Sequence, residues 1–286
     1  MNGFLNILKP PGMTSAAVVA MVRRATGEKR VGHAGTLDPE ASGVLPVMIG
    51  KAARLFDYLV DKEKEYVAEA AFGQATDTQD ATGRVIAEGE AYPDLAQVRE
   101  AAQTLVGDIW QRPSMYSAIK KDGTPMYERA RRGEEIEVPL RQVHVESIDV
   151  HEEMPNHGFR MTIRCGRGTY IRSICRDLAK SLGTFATMTS LVRTKSGAFN
   201  LDTSLTKDQL YNAEDLSSLI TKPDSVLTFE KVTLNHFQSV ELINGRPFKH
   251  GLLDGTYSIY LDNGDFVGVG IVTDKKLRIK AFILEL

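Results

Sequence analysis

The feature that most constrains the fold is an alternating segment followed at once by a helical one, between residues 159 and 183. In FRMTIRC every second side chain is apolar, which predicts a strand with one buried face. The stretch GTYIRSICRDLAKSLG then changes to helical spacing, with Thr169 as the expected N-cap and Gly183 as the expected end. We therefore expect an amphipathic helix that packs on a sheet. Its apolar stripe consists of Ile171, Ile174, Cys175, Leu178 and Leu182.

The same periodicities predict further elements. HVESIDV should pair with FRMTIRC, and helices are expected after a cap at Thr14 or Ser15, near residues 51–61, and after a cap at Asp94. Residues 27–50 are punctuated by glycines and are predicted to be a loop. This order of elements indicates an α+β domain. In the strand EYVAEAAF, one face should hold Tyr66, Ala68, Ala70 and Phe72.

Two domains are predicted, over residues 1–225 and 231–286. In the second, YSIYLDNGDFVGVGIV is typical of a hairpin with Asn263–Gly264 at its turn, and LRIKAFIL adds a strand, so this domain should be small and β-rich. Within the first domain, residues 111–143 are irregular and rich in arginine. We expect them to form an insertion with one short helix.

The charge is unevenly distributed, although the 286-residue chain carries a formal net charge of only −2. Residues 57–108 hold 12 acidic and 4 basic residues, whereas residues 160–195 hold 8 basic residues and one acidic residue. This asymmetry favours a polyanion-binding side, although ordinary solvated faces also account for it.

The chain shows no sign of a membrane or secretory protein. No apolar run approaches the ~20 residues that a membrane span needs, and the first residues lack a signal pattern. The two cysteines, Cys165 and Cys175, form neither a disulfide framework nor a metal-ligand spacing. We therefore expect a cytoplasmic protein with reduced thiols.

A single aspartate, Asp38, lies in the glycine-rich stretch HAGTLDPEASGVL. Asp followed by Pro is typical of a helix N-cap, and spacing alone favours that interpretation over catalysis. His33 in the same stretch suits a base, a metal ligand or a hydrogen-bonded loop residue. Taken singly, Tyr66 is more typical of a core residue and Arg172 of a surface base. The remaining histidines lack zinc-ligand spacing, and no phosphate-loop fingerprint is present.

Longer motifs, taken together and in order, are far more specific than these single residues. They are KPPGMTS (9–15), VGHAGTLDPEASGVLP (31–46), KEYVAEAAFGQATDTQDATG (64–83), PSMYSAIKKDG (113–123), GRGTYIRSICRDLAKSLG (166–183) and LVRTKSG (191–197). This set resembles the bacterial tRNA pseudouridine-55 synthase family, the TruB family, over residues 3–200 and more loosely beyond them.

The resemblance implies roles for particular residues. Asp38 matches the essential aspartate of the family motif G-x-L-D-P-x-A-S/T-G. Tyr66 matches the tyrosine that stacks on the extruded base and is a candidate for moving the C5 proton. Arg172 matches the arginine that pairs with the aspartate, which favours the ionised carboxylate. Among substrate-binding residues, Tyr170 and Leu191 match positions that line the uridine pocket, and His33 matches one near the space left by the flipped nucleotides.

The resemblance also implies the chemistry and the fold. Uridine becomes pseudouridine when the base is cut from its sugar at N1, rotated and rejoined through C5. No electrons are gained or lost, so neither a cofactor nor a metal is expected. The implied pseudouridine synthase fold has a mixed, largely antiparallel central sheet flanked by helices, and the C-terminal unit resembles a PUA-like RNA-binding domain.

The implied partner is the T-stem-loop of tRNA, modified at position 55 by a monomer that needs no guide RNA. The target base must first be flipped out of a folded loop. Arg160 and Arg164 alternate with the buried residues of their strand, so we expect them to point outward and contact phosphates. The insertion over residues 111–143 is expected to clamp the RNA.

Two rival functions remain open from the sequence. One is a tRNA-binding folding chaperone without catalysis, although Asp38, Tyr66 and Arg172 are all present. The other is a hydrolase that uses Asp38 on a glycosidic bond, which requires a second positioned carboxylate, and only Glu40 is near in sequence.

Overall fold

The computed structural model describes residues 1–60, 62–117, 119–121, 123–134 and 136–285. The strands of the larger domain are β1 (Gly3–Lys9), β2 (Val31–His33), β3 (Ser42–Ile49), β4 (Lys64–Phe72), β5 (Gln74–Thr76), β6 (Val85–Glu88), β7 (Gly107–Gln111), β8 (Lys120–Lys121), β9 (Thr124–Pro125), β10 (Arg141–Met154), β11 (Gly158–Cys165), β12 (Ala186–Ser196) and β13 (Phe199–Asn200). The C-terminal strands are β14 (Glu230–Leu234), β15 (Phe248–Lys249), β16 (Gly255–Leu261), β17 (Phe266–Thr273) and β18 (Lys276–Phe282).

The helices are α1 (Ser15–Thr26), α2 (Phe56–Val60), α3 (Leu95–Gln103), α4 (Met126–Arg131), α5 (Ile171–Ser181), α6 (Lys207–Tyr211) and α7 (His236–Ile243). Short 3₁₀ helices cover Gly50–Leu55, Leu216–Leu219 and Pro223–Val226. In the described part of the chain, no helix combines the length and apolar character needed to cross a membrane.

Several local predictions are confirmed. The Thr14 hydroxyl caps α1 by accepting the Ala17 N–H at 3.0 Å, and Gly27 ends that helix in the left-handed region at φ 69°. Asp94 forms a capping box with Gln97 at the start of α3. These ends could be predicted because capping is a contact between residues three positions apart.

Two local predictions are wrong. Thr169 does not cap α5, because Tyr170 occupies the N-cap position and the Thr169 hydroxyl donates to the Gly166 carbonyl at 3.3 Å. The expected loop over residues 27–50 contains β2 and all of β3. β3 is buried on both faces, so its sequence lacks the alternation that marks a half-exposed strand.

The central sheet has the strand order β1-β3-β12-β4-β11-β10-β7. Neighbouring strands are antiparallel except at the crossing of β3 and β12, where Ser42 and Gly43 pair in parallel with Val192 and Arg193. The expected α+β class with a mixed, largely antiparallel sheet flanked by helices is therefore confirmed. That parallel crossing brings the start of β3 against the middle of β12.

One face of the sheet carries the main core. The apolar residues of β4 and β11 point toward α5 and α3, and the predicted stripe of α5 is buried or partly buried against them. The polar residues of the same strands lie on the opposite face, as strand alternation requires. Tyr66 is among the inward residues, so its side chain lies on the face that α5 covers.

The C-terminal strands form a second sheet in the order β14-β16-β17-β18-β15, and the predicted turn at Asn263–Gly264 joins β16 to β17. Val269 and Ala281 of this sheet pack with Phe4 and Val44 of the central sheet. The two sheets therefore share an apolar contact on the far side of β1 and β3 from α1.

Candidate active site

Asp38 lies in the loop that joins β2 to β3. It caps no helix, because the chain makes one tight turn, with the Ala41 N–H donating to the Asp38 carbonyl at 3.1 Å, and then enters β3. The N-cap interpretation is therefore wrong. Gly35 and Gly43 lie before and after this turn and have φ values of 109° and 107°. Residues with side chains rarely adopt these values, so glycine is required at both positions.

The loop is held by β1 and the start of α1. The Ser15 hydroxyl accepts the Leu37 N–H at 2.9 Å and donates to its carbonyl at 3.1 Å. The buried Lys9 ammonium donates to the carbonyls of Pro10 and Pro39 at 2.9 and 2.8 Å. Burial lowers the pKa of Lys9 to about 8, against the opposing effects of Glu40 and Asp38. The residues on both sides of Asp38 are thus fixed before any substrate binds.

Arg172 lies in the first turn of α5 and is 5% exposed. Its Nε and Nη2 lie 3.0 Å from the two oxygens of Asp38, which is a bidentate pair. Nη2 also donates to the Tyr116 carbonyl at 3.0 Å, and Nη1 donates to the Thr78 carbonyl at 2.9 Å. Nη1 lies 3.3 Å from Asp80 as well. The guanidinium therefore donates three hydrogen bonds and makes two further ion-pair contacts.

The pKa of Asp38 is raised above its usual value, because burial disfavours the charged form more than the neighbouring Arg172 favours it. The negative charge of Asp80 raises it further. The expected ion pair is present, but its effect does not dominate. The Asp38 side chain still keeps about a third of its surface exposed, at 34%, so it remains open to a substrate.

The stretch TDTQDATG around Asp80 lacks the spacing of a calcium loop and favours a solvated turn, so the sequence predicts no function for this residue. Its Oδ1 accepts from the Thr78 hydroxyl at 2.8 Å and from the N–H and hydroxyl of Thr82 at 3.0 and 2.6 Å, while Oδ2 faces Arg172. The signal that could have found it is its place inside one of the motifs that carry the family resemblance. Asp80 extends the pair of Asp38 and Arg172 into a three-residue network.

Tyr66 is buried on β4, with 7% exposure, and its side chain is on the same sheet face as Leu191 of β12. Burial raises the pKa of the Tyr66 hydroxyl, while the positive charge of Arg193 acts in the opposite direction. The negative charge of Asp38 raises this pKa further. Tyr66 shares an apolar core cluster with Leu37 and Ala41, which lie on either side of Asp38 in the chain. Arg193 is a second residue that sequence reasoning missed.

The remaining predicted residues lie around this centre. The backbone of Tyr170 is held by Gln111, whose amide oxygen accepts its N–H at 3.0 Å. Burial raises the pKa of the Tyr170 hydroxyl, on which the charges of Asp38 and Arg172 also act. His33 ends β2, and its Nδ1 is buried without a hydrogen-bond partner among the described residues. Burial and then Arg193 lower the pKa of His33, so its ring is neutral at pH 7.

Arg160 and Arg164 do not lie at this site. On β11 they alternate with the core residues, and they therefore point from the sheet face opposite Tyr66. Arg160 pairs with Glu69 and Glu152 at 2.9 and 2.8 Å, and Arg164 pairs with Glu65 at 2.9 Å. These arginines point outward as expected, but from the sheet face opposite Tyr66, and each already pairs with a carboxylate. Their contact with the phosphates of a bound RNA stays a prediction.

The residues of the insertion that the structure describes are tied to α5. The Arg112 carbonyl accepts from the Ser173 hydroxyl at 3.2 Å and from Arg176 at 2.8 Å, and the Tyr116 carbonyl accepts from Arg172. The insertion therefore begins at the edge of the site. Across the described ranges, no cluster of three or more His, Cys, Asp or Glu side chains has a metal-binding arrangement.

Comparison with known proteins agrees with this geometry. The family model for the N-terminal domain of TruB family pseudouridylate synthase matches residues 23–171, and the tRNA pseudouridylate synthase B C-terminal domain model matches residues 172–228. The chain belongs to the TruB family. It is therefore an isomerase of the pseudouridine synthase type, and the family resemblance seen in its motifs is confirmed.

Individual members of the TruB family match along their whole length. The chain is 38% identical over 299 residues to the tRNA pseudouridine synthase B of Clostridium perfringens strain 13, with 100% of both chains covered. It is 39% identical to that of Alkaliphilus oremlandii, over 96% of this chain and 94% of the relative. A solved Cbf5-Nop10-Gar1 complex contains a chain of similar fold, with a TM-score of 0.71, 26% identity and coverage of 95% of this chain and 78% of that one.

Proposed function

We propose that this TruB family member isomerises uridine to pseudouridine at position 55, in the T-loop of tRNA, with Asp38 as the catalytic carboxylate. The observation that carries the proposal is the partly exposed Asp38 carboxylate held by the buried Arg172, in a loop whose Leu37 and Ala41 pack in the same cluster as Tyr66. The curated relatives named tRNA pseudouridine synthase B, matched over at least 94% of their length, support tRNA as the substrate.

The role proposed for Asp38 follows from how it is held. Both of its oxygens face Arg172, and the loop on either side is bonded to Lys9 and Ser15. A carboxylate fixed in this way needs little reorganisation free energy when a flipped uridine binds beside it. It can add to C6 of the base or to C1′ of the ribose, and either route assists breakage of the N1–C1′ bond.

The later steps balance without an added reagent. After the base rotates, the C1′–C5 bond forms, the C5 proton leaves and N1 acquires a proton. We propose that Tyr66 stacks on the base and accepts or relays the C5 proton, since it packs in the same apolar cluster as Leu37 and Ala41 of the Asp38 loop. Tyr170 and Leu191 are proposed to line the uridine pocket, and His33 the space vacated by the flipped nucleotides.

We further propose that the insertion over residues 111–143 clamps the RNA, because its described start is bonded to Arg172 and Arg176. The C-terminal sheet from residue 231 is proposed to be the PUA-like RNA-binding domain, separate from a catalytic domain over residues 1–225. The enzyme is proposed to act in the cytoplasm as a monomer without guide RNA.

The arrangement of Asp80 argues against a glycosidase. A hydrolase needs a second carboxylate free to activate water or protonate the leaving group. Oδ1 of Asp80 accepts three hydrogen bonds and Oδ2 faces Arg172, so this carboxylate is occupied. Family membership likewise favours catalysis over a chaperone without activity.

Product analysis tests the proposal. The purified chain is incubated with an unmodified T-stem-loop, without other proteins or RNA, and the digested nucleosides are identified by mass and retention time. Pseudouridine at the target position is expected, and a stem-loop with cytidine there is the matched control. Free uracil would indicate the hydrolase, and RNA binding without product would indicate the chaperone.

Asp38→Asn supplies the catalytic control. Because it keeps size but removes the negative charge, we expect turnover to fall by several orders of magnitude, while tRNA affinity changes by less than about 1 kcal/mol, since phosphate contacts supply most of that affinity. Normal turnover of the folded variant would contradict the assignment of Asp38.

A further inference from the structure

Arg193 is a fully buried arginine that pairs with none of the carboxylates in the described part of the chain. Its side chain is the largest among the fully buried ones, with 1% exposure. Within the residues that the structure describes, no Asp or Glu carboxylate lies in ion-pair distance of it. A buried, unpaired cation is costly unless hydrogen bonds satisfy it, so its retention calls for a specific use.

The hydrogen bonds of Arg193 join the two ends of the Asp38 loop. Nε donates to the Val44 carbonyl at 2.7 Å, and Nη2 donates to the Gly35 carbonyl at 3.2 Å. Gly35 precedes Asp38 by three residues, and Val44 follows it by six. One guanidinium therefore holds the backbone of the loop on both sides of Asp38.

The backbone at Arg193 is equally close to the loop. A Cβ placed on Gly43 would lie 2.2 Å from the Arg193 carbonyl oxygen, so only glycine permits this approach. This is the parallel crossing of β3 and β12, at which Arg193 pairs with Gly43. The side chain is thus anchored at both its backbone and its guanidinium and has little freedom to move.

The third contact of Arg193 is Tyr66. The two residues are directly opposite each other in the antiparallel pair of β4 and β12, and both are buried on the same face. The positive charge of Arg193 lowers the pKa of the tyrosine hydroxyl, against the larger effect of burial. A guanidinium only donates hydrogen bonds, so toward Arg193 the phenol oxygen can act only as an acceptor, and its own proton is free to point elsewhere.

We propose that Arg193 is a positioning residue that orients the Tyr66 hydroxyl and fixes it relative to the Asp38 loop. This inference rests on the proposed isomerisation and concerns its last step. There the C5 proton leaves, the electrons of the C5–H bond form the C5–C6 double bond, and N1 carries the balancing proton. A donor behind Tyr66 holds the phenol oxygen in place and stabilises negative charge on it when the proton on its front side moves.

A double-mutant cycle on single-turnover rates tests this role, using Arg193→Gln, Tyr66→Phe and the double variant with saturating T-stem-loop. We expect Arg193→Gln to slow the wild-type enzyme at least tenfold, and to slow the Tyr66→Phe enzyme by less than a third of that factor. A loss of the same factor in both backgrounds would overturn the proposal, because the arginine would then act independently of the hydroxyl.

Arg193→Lys is a second variant that keeps the proposal testable if Arg193→Gln does not fold. Lysine keeps the charge and can reach part of the same acceptors, so we expect it to fold, to bind RNA normally and to recover several-fold of the rate lost with glutamine. If folded Arg193→Lys and Arg193→Gln are equally fast, or match the wild type, the proposal is wrong. Absence of pseudouridine with the wild-type chain would instead refute the proposed function itself, which the same assay reports separately.

Discussion

Replacing Arg172 with lysine isolates the contribution of guanidinium geometry, because the positive charge is kept. The arginine donates hydrogen bonds to Asp38 and to the carbonyls of Thr78 and Tyr116 at 2.9–3.0 Å, and it makes ion-pair contacts with Asp38 at 3.0 Å and with Asp80 at 3.3 Å. An ammonium has three N–H groups that radiate from a single atom and cannot span these acceptors. At least two hydrogen bonds must therefore be lost.

The magnitude follows from those two bonds. A hydrogen bond to a charged group contributes about 1.5–3 kcal/mol, so their loss costs on the order of 3–6 kcal/mol in the buried network. Partial exposure of Asp38 lets water recover some of this. A loss of about 2.7 kcal/mol in transition-state stabilisation corresponds to a 100-fold slower reaction. We therefore expect Arg172→Lys to reduce the single-turnover rate at least 100-fold.

The assay measures tritium release from RNA labelled at C5 of uridine, under single-turnover conditions, together with RNA affinity and thermal unfolding. Affinity should change by less than about 1 kcal/mol, because Arg172 is directed at protein groups rather than at phosphates. Arg164→Ala is the matched control. Its ion pair with Glu65 is exposed and on the opposite sheet face, so the rate should stay within twofold and the thermal unfolding should hardly change.

Two results would refute this reasoning. If folded Arg172→Lys reacts at the wild-type rate, the bidentate geometry does not position Asp38. If Arg164→Ala loses as much rate as Arg172→Lys, the two sheet faces do not have the separate roles that the structure indicates.

Two further predictions concern the hydroxyl and the carboxylates. Tyr66→Phe keeps the ring but loses the hydroxyl, and we expect a loss far above tenfold with intact RNA binding; a near-wild-type rate would leave Tyr66 as a stacking surface only. Because the pKa of Asp38 is raised, activity should fall as the pH drops through a value above the usual aspartate range. Asp80→Asn removes a negative charge that raises this pKa, so it should move the acid limb of the kcat/KM profile to lower pH. An unchanged limb would contradict this coupling. The same raised pKa means that ionisation of Asp38 opposes folding, so this group destabilises the folded chain as pH rises through its pKa.

The sequence by itself determined those features that depend on neighbouring residues. Alternation in EYVAEAAF placed Tyr66 on the buried face of β4, and the caps at Thr14 and Asp94 marked two helix starts. The hairpin turn at Asn263–Gly264 was equally local. The motifs also identified Asp38 and Arg172, although through family resemblance, since spacing alone favoured a helix cap at Asp38.

Only the tertiary structure decided which groups meet at the site. Arg172 contacts acceptors 134, 94 and 56 positions away in sequence, namely Asp38, Thr78 and Tyr116. Side-chain periodicity carries no information about such partners, because a buried cation accepts any carbonyl or carboxylate that the packing brings near it. For this reason the sequence around Asp80 predicts only a solvated turn, whereas in the structure Asp80 lies beside Arg172.

Arg160 and Arg164 also show that local sequence does not reveal the partners of a side chain. Alternation correctly predicted that Arg160 and Arg164 point away from the core. It could not predict which face of the sheet carries the site, or that glutamates form ion pairs with these arginines. Arg193 is the converse case, since a charged residue that reads as surface is fully buried at the crossing of β3 and β12. Local sequence sets the direction of a side chain relative to its own strand, whereas its surroundings depend on strands that pair from distant parts of the chain.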